Sequence, residues 1–157
     1  MKYDIIMLSE LWTNNFEGEA GIIHVMEDTL TSSGEILCWA DAKAATTTIL
    51  SDYYPRYIKK KVERSIWLRG IFSFDEEAQK LKDRGAEELR EIYMIPKVEY
   101  PFKNEINIYD DKVAIVSHQD KVGIIIHNSY IADTQRSIFN FAFKHAKLAE
   151  KELLTGS

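Results

Sequence analysis

The chain has one cysteine, Cys38, so it cannot close an internal disulfide, which fits a reducing compartment. Cys38 lies in the apolar run Ile36 to Ala40, where a buried, inert thiol is expected. There is no basic-then-apolar leader and no apolar stretch long enough to span a bilayer, so a cytoplasmic protein without membrane contact is expected. Basic charge is also short. Lys+Arg 20 against Asp+Glu 25 leaves a net charge of −5, whereas nucleic-acid binders carry a basic patch. Direct nucleic-acid contact by this chain is therefore not expected.

Catalytic and metal signatures are scarce too. His24, His118, His127 and His145 have no metal-like spacing, and His118 and His127 on adjacent strands would lack a third ligand. No G-x-S-x-G elbow is present, and Gly70 and Gly123 stand alone, so no phosphate-cradling loop is evident. The residues imply no metal and no cofactor.

What is present reads as one domain. The 157 residues, 45 % hydrophobic and 29 % charged, suffice for a full core. Asn104 to Ser117 alternates through Glu105, Ile106, Asn107 and Ile108, turns at Asp110-Asp111, and resumes as a strand through Val116. A third apolar run, Val122 to Ile126, completes a meander.

Upstream, Ile5 to Leu8 is a candidate edge strand. Glu17 to Thr31 is a helix with Ile22, Ile23, Met26 and Leu30 on one face, stopped at Gly34. Glu35 to Ala40 is a strand. Asp41 can cap a helix reaching Leu50, although the Thr46-Thr47-Thr48 run weakens it. Pro55 fits the first turn of a helix to Ser65, with Tyr57, Ile58 and Val62 inward and Lys59, Lys60 and Lys61 facing water. Ile66 to Phe74 is a strand and Asp75 to Arg84 a helix. Ala86 to Glu91 starts helically, and Ile92 to Ile95 is extended before Pro96.

Ser129 can cap a long last helix with an apolar stripe of Ile131, Ile138, Ala142, Ala146 and Ala149, widened by Phe139, Phe141, Phe143 and Leu148. That surplus calls for a second packing partner, either the other subunit of a homodimer or the loops from Asp41 to Tyr54. The order gives an α/β fold with a mixed β-sheet flanked by helices and a long C-terminal helix.

FEGEAGI at 16–22, SDYYPRYIKKKVE at 51–63, EELRE at 87–91, IPK at 95–97, EINIYDDKVAI at 105–115 and IADTQRSIF at 131–139 occur in that order. Together they resemble the effector half of TrmB-type, sugar-responsive transcriptional regulators. The likeness runs from about Asn15 to Glu150. It implies a phospholipase D-like single domain over 1–157, a homodimer, and a small polar effector such as a sugar. The winged helix-turn-helix of such regulators is missing from this chain, since only about a dozen residues precede the match. A separately encoded effector domain, a degenerate remnant or an excerpt of a longer chain would each look like this.

The resemblance also implies loss of catalysis. Phospholipase D enzymes use H-x-K-x-x-x-x-D. With Asp110 in the Asp place, His falls on Lys103 and Lys on Glu105; with Asp111, they fall on Asn104 and Ile106. Neither register restores a nucleophile and an oxyanion holder, so no enzyme is expected. Polar residues on predicted strands stand out: Arg69, Glu105 and Asn107, the last two sharing a face at a spacing of two. They are the candidate effector-binding residues, with Arg90 a weaker addition. The bland reading is an Arg69–Glu105 ion pair with Asn107 holding a loop.

The expected function is a non-catalytic effector-sensing and dimerisation domain. The alternatives are a pure assembly module with a vestigial pocket and a hydrolase with non-standard residues.

Overall fold

A computed structural model describes residues 12–47 and 51–155. The candidate strand Ile5 to Leu8 lies outside them. Among the described residues the chain runs β1 (Thr13–Glu17), α1 (Gly18–Thr29), β2 (Glu35–Ala40), α2 (Ala42–Thr46) and α3 (Tyr54–Glu63). It continues through β3 (Trp67–Ser73), α4 (Glu76–Asp83), β4 (Arg90–Ile95), β5 (Glu105–Tyr109), β6 (Lys112–Ser117), β7 (Val122–His127) and α5 (Ser129–Thr155).

The strands form one mixed seven-stranded sheet in the order β1-β7-β6-β5-β2-β3-β4. β2, β3 and β4 run parallel, joined by helices, while β5, β6, β7 and β1 pair antiparallel. β2 is the seam, with β3 parallel on one side and β5 antiparallel on the other. Its continuous apolar run suits a strand buried on both faces.

Alternation assigns each side chain to a face. Ile36, Cys38, Leu68, Phe72, Ile92, Met94, Ala114 and Ile125 pack beneath the helices that precede β4. Leu37, Ile71, Ile108 and Val113 pack on the opposite face with Ala132, Phe139 and Ala146 of α5. α1 lies so close to the meander that a Cβ at Gly123 would come within 2.8 Å of a Val25 methyl. Asp28 of α1 clamps the β5–β6 hairpin, accepting hydrogen bonds from Tyr109 Oη (2.6 Å) and Lys112 Nζ (2.8 Å).

Several expectations change. β1, a polar edge strand, escapes an apolar-alternation reading because its sequence is TNNFE. The segment from Ala86 turns rather than winds, and β4 begins at Arg90. Asn128, not Ser129, caps α5 by accepting the Ile131 amide at 3.1 Å. The docked face of α5 is centred on Ala132, Phe139 and Ala146, whose small residues let Phe139 reach Trp39 at 5.4 Å. Ile131 and Ile138, placed on the apolar stripe by spacing, are exposed.

Lys61 is the largest correction. Expected in water, it is 0 % exposed. Its Nζ donates to the carbonyls of Ile66 (3.1 Å), Glu88 (2.6 Å) and Leu89 (3.1 Å), tying α3 to the entrances of β3 and β4. Burial, and then the Arg90 charge, push its pKa down to about 8. A buried ammonium with three acceptors is satisfied, so removing it orphans carbonyls. Lys61→Met keeps the volume and deletes the bonds; it is expected to cost about 3 kcal/mol, read as an earlier urea midpoint at unchanged slope. Lys59→Met, on the exposed side of the same helix, is the control and should stay within about 0.5 kcal/mol of wild type.

Candidate effector site

The sheet register brings Glu105 and Asn107 together, as their spacing predicts, on the helix-covered face. Asn107 Nδ2 donates to Glu105 Oε1 at 2.8 Å, and His118 Nε2 lies 2.9 Å from Oε2. All three side chains are buried. Burial raises the pKa of Glu105, but the His118 hydrogen bond and charge and the Asn107 amide outweigh it, leaving the carboxyl below its ordinary range. Beside it, burial and then the Glu105 charge push the Cys38 thiol well up, which makes it inert. His118 was not singled out with Glu105 by sequence. The signal exists, because Glu105 stands opposite Val116 and the residue two further on shares that face.

Arg90 reaches the same face, but its guanidinium is engaged by Glu88 and by Tyr54, whose hydroxyl accepts at 3.3 Å. The cavity next to Glu105, lined also by Cys38, Tyr54, Tyr57 and Leu68, measures about 20 Å³. That is room for about one water, not for a sugar.

Arg69 is not in this cluster. Odd-numbered positions of β3 point to the other face, and Arg69 there makes a bidentate pair with Glu35 (2.7 and 3.0 Å). It also contacts Asn140 of α5 at 3.2 Å, and its guanidinium lies 5.3 Å from the Phe143 ring centroid. The expected Arg69–Glu105 pair is therefore replaced by Arg69–Glu35, and no single pocket holds Arg69, Glu105 and Asn107. The reason is parity: Leu37, opposite Arg69, and Cys38, opposite Asn107, are adjacent in β2.

Glu35 opens onto a cleft of about 340 Å³ that sequence reasoning missed, lined by Ser33, Gly34, Glu35, Leu37, Ile108, Asp110 and Arg136. Asp110, in the left-handed region at φ 44°, turns its carboxylate back to the Ser33 hydroxyl (2.6 Å) and amide (3.2 Å). Arg136 of α5 spans the cleft, donating to the Asp110 carbonyl at 2.5 Å and to Asp133 at 2.7 Å. Two carboxylates, a guanidinium and a hydroxyl thus converge on a space the size of a monosaccharide. Each of these groups is partnered within the protein: Glu35 with Arg69, Asp110 with Ser33, and Arg136 with Asp133 and the Asp110 carbonyl. No single short motif announced them, because they come from three separate segments.

The buried carboxylate carries a pH signature. Unfolded Glu105 takes up its proton near pH 4.5; folded, it does so at a lower pH. The unfolded state therefore binds more protons in that window, and stability is lost as pH falls through it. Glu105→Gln should flatten this part of the acid-unfolding profile below about pH 4.5, measured as thermal midpoint against pH.

No protein-family model matches the chain, and no curated protein matches it. Among solved structures, the fold is similar to that of TrmBL2, described as an archaeal chromatin protein with a novel mode of DNA binding. The TM-score is 0.60 at 17 % identity, over 90 % of this chain and 51 % of that one. The chain thus spans about half the length of TrmBL2. What the two share is this mixed α/β architecture.

Proposed function

We propose that this chain is the effector-sensing and dimerising module of a TrmB-like transcriptional regulator, phospholipase D-like in fold and without catalysis. The observation that carries the reading is the state of Glu105. In the phospholipase D register it stands in the place of the phosphate-holding lysine, and its carboxylate is locked between His118 and Asn107. A buried anion repels a phosphodiester, and the motif's histidine position holds Lys103. The fold shared with TrmBL2 supports a regulatory role, and the net charge of −5 argues against this chain being the DNA-contacting part.

The effector is a small polyhydroxyl compound held in the Ser33–Glu35–Asp110–Arg136 cleft. Arg136 belongs to α5, where it also pairs with Asp133, and it reaches across to the Asp110 carbonyl in the β5–β6 turn. A ligand that replaces the Arg136 contacts therefore changes the balance between positions of α5, which is a population shift. A second reading, a pure assembly module, draws on the narrowness of the cavity beside Glu105.

A thermal-shift screen against sugars, sugar phosphates and nucleotides tests the reading. A site that binds only the folded state adds about 2.7 kcal/mol at a hundredfold excess over Kd, a rise of several degrees. One responding class is expected, and Arg136→Ala should abolish the response while leaving a folded protein. Silence across the panel favours the assembly module. Turnover of bis(4-nitrophenyl) phosphate, abolished by Glu105→Ala, would overturn the non-catalytic assignment.

A further inference from the structure

A cleft of about 440 Å³ opens between α5 and residues 96–104, on the face of the sheet that α5 covers. Trp39 of β2 and Ile95 of β4 form its floor, and Tyr100 and Phe102 stand opposite the helix. β2, β3 and β4 run parallel, and Trp39 and Ile95 lie at the carboxyl ends of their strands. The crevice outside those ends is where open α/β sheets take their ligands.

The sequence of α5 explains the space. Where the helix meets the sheet tightly it uses Phe139 and Phe143, but along the cleft it places Ala142, Ala146 and Ala149, at steps of four and three. Three methyl groups leave open what larger side chains would fill. The opposite wall is held in place at its root. Lys97 pairs with Asp41 at 2.6 Å and lies 3.6 Å from Asp75, and the Tyr100 amide donates to the Pro96 carbonyl at 3.0 Å. The cleft is therefore preformed, as small-molecule sites are.

Its chemistry is narrow. No Asp, Glu, Lys or Arg lines it, so a carboxylate or phosphate inside would go unpaired. Trp39 and Phe102 meet edge to face with centroids 5.8 Å apart, a pairing that further rings extend. At the rim His145 packs on Phe141 at 4.5 Å, and its Nδ1 lies 2.8 Å from the Phe141 carbonyl. A carbonyl oxygen only accepts, so Nδ1 carries the hydrogen and Nε2 of the neutral ring is left as an acceptor.

We propose that this cleft is a second ligand site that takes a neutral aromatic molecule of one or two rings with a single O–H or N–H donor, the class of phenols and indoles. The rings displace water from Trp39 and Phe102, and the donor meets Nε2 of His145. The site shares no lining residue with the Ser33–Glu35–Asp110–Arg136 cleft. Size favours such a ligand over a docked protein. A helix about 10 Å across occupies roughly 420 Å³ per turn, so the cleft holds about one turn, whereas stable protein interfaces bury about 1,200 Å² or more.

Isothermal titration of the chain with 1-naphthol at neutral pH should show one saturable site. 1-Methoxynaphthalene, which lacks the donor, should bind about 5-fold more weakly, and 1-naphthoate, whose charge would be unpaired, at least about 10-fold more weakly. His145→Phe keeps a ring and removes the acceptor, so 1-naphthol should fall to the affinity of 1-methoxynaphthalene, which stays unchanged. Ala142→Leu fills the cleft and should abolish binding of both, with a cooperative thermal transition showing that the chain is folded. Ala149→Leu, at the other end of the stripe, serves the same purpose if the first variant does not fold. Absence of saturable binding overturns the proposal, as does binding that survives the leucine variants, which places the probe elsewhere. A preference for 1-naphthol that persists in His145→Phe, or 1-naphthoate binding as tightly, also overturns it and marks a nonspecific apolar patch. The sugar screen is read separately: a chain that binds 1-naphthol and answers to no sugar retires the polyol cleft alone, and the converse retires only this site.

Discussion

Everything in this fold hangs on burying β2 from both sides. Its Ile36 and Cys38 must meet helices on one face while Leu37 and Trp39 meet α5 on the other. A strand apolar on both faces is most stable inside a sheet, with a neighbour on each edge. β3 supplies the parallel neighbour through the helical crossover, and β5 supplies the antiparallel one. The parallel half and the meander are thereby joined into a single sheet. The alternation that follows decides which polar residues can ever meet.

Polar groups within the helix-covered layer follow one rule. Lys61 has three carbonyls, Glu105 has an imidazole and an amide, and Arg90 has Glu88 and Tyr54. Each is held by more than one partner, as burial of charge requires. The opposite face instead sends its charges to the rim. Glu35, Asp110 and Arg136 gather around the open cleft beside α5, with Arg69 paired to Glu35 next to it. One side of the sheet stores its polarity and the other presents it.

Much of the fold was legible in the sequence, for local reasons. The meander showed through Glu105 to Ile108 and the Asp110-Asp111 turn, and the helices through three- and four-residue spacing. What stayed hidden depends on contacts distant along the chain. β1 is a strand because β7 offers it an edge, not because TNNFE favours one. Lys61 looked solvated because Lys59 and Lys60 flank it, and only the returning loop at Glu88 and Leu89 makes its burial affordable. The site was half legible. Spacing put Glu105 beside Asn107, but the relative parity of β3 and β5 is fixed through β2, and that sent Arg69 to the far side.

The three hydrogen bonds of Lys61 reach the last residue before β3 and the two residues before β4. A single ammonium therefore knots the starting points of two neighbouring parallel strands to the helix that precedes them. Neither strand can peel from its beginning without breaking that knot, so β3, β4 and α3 form one cooperative unit. β4, like β1, is paired along one edge only, and the Lys61 bonds are what hold its start to the rest of the unit.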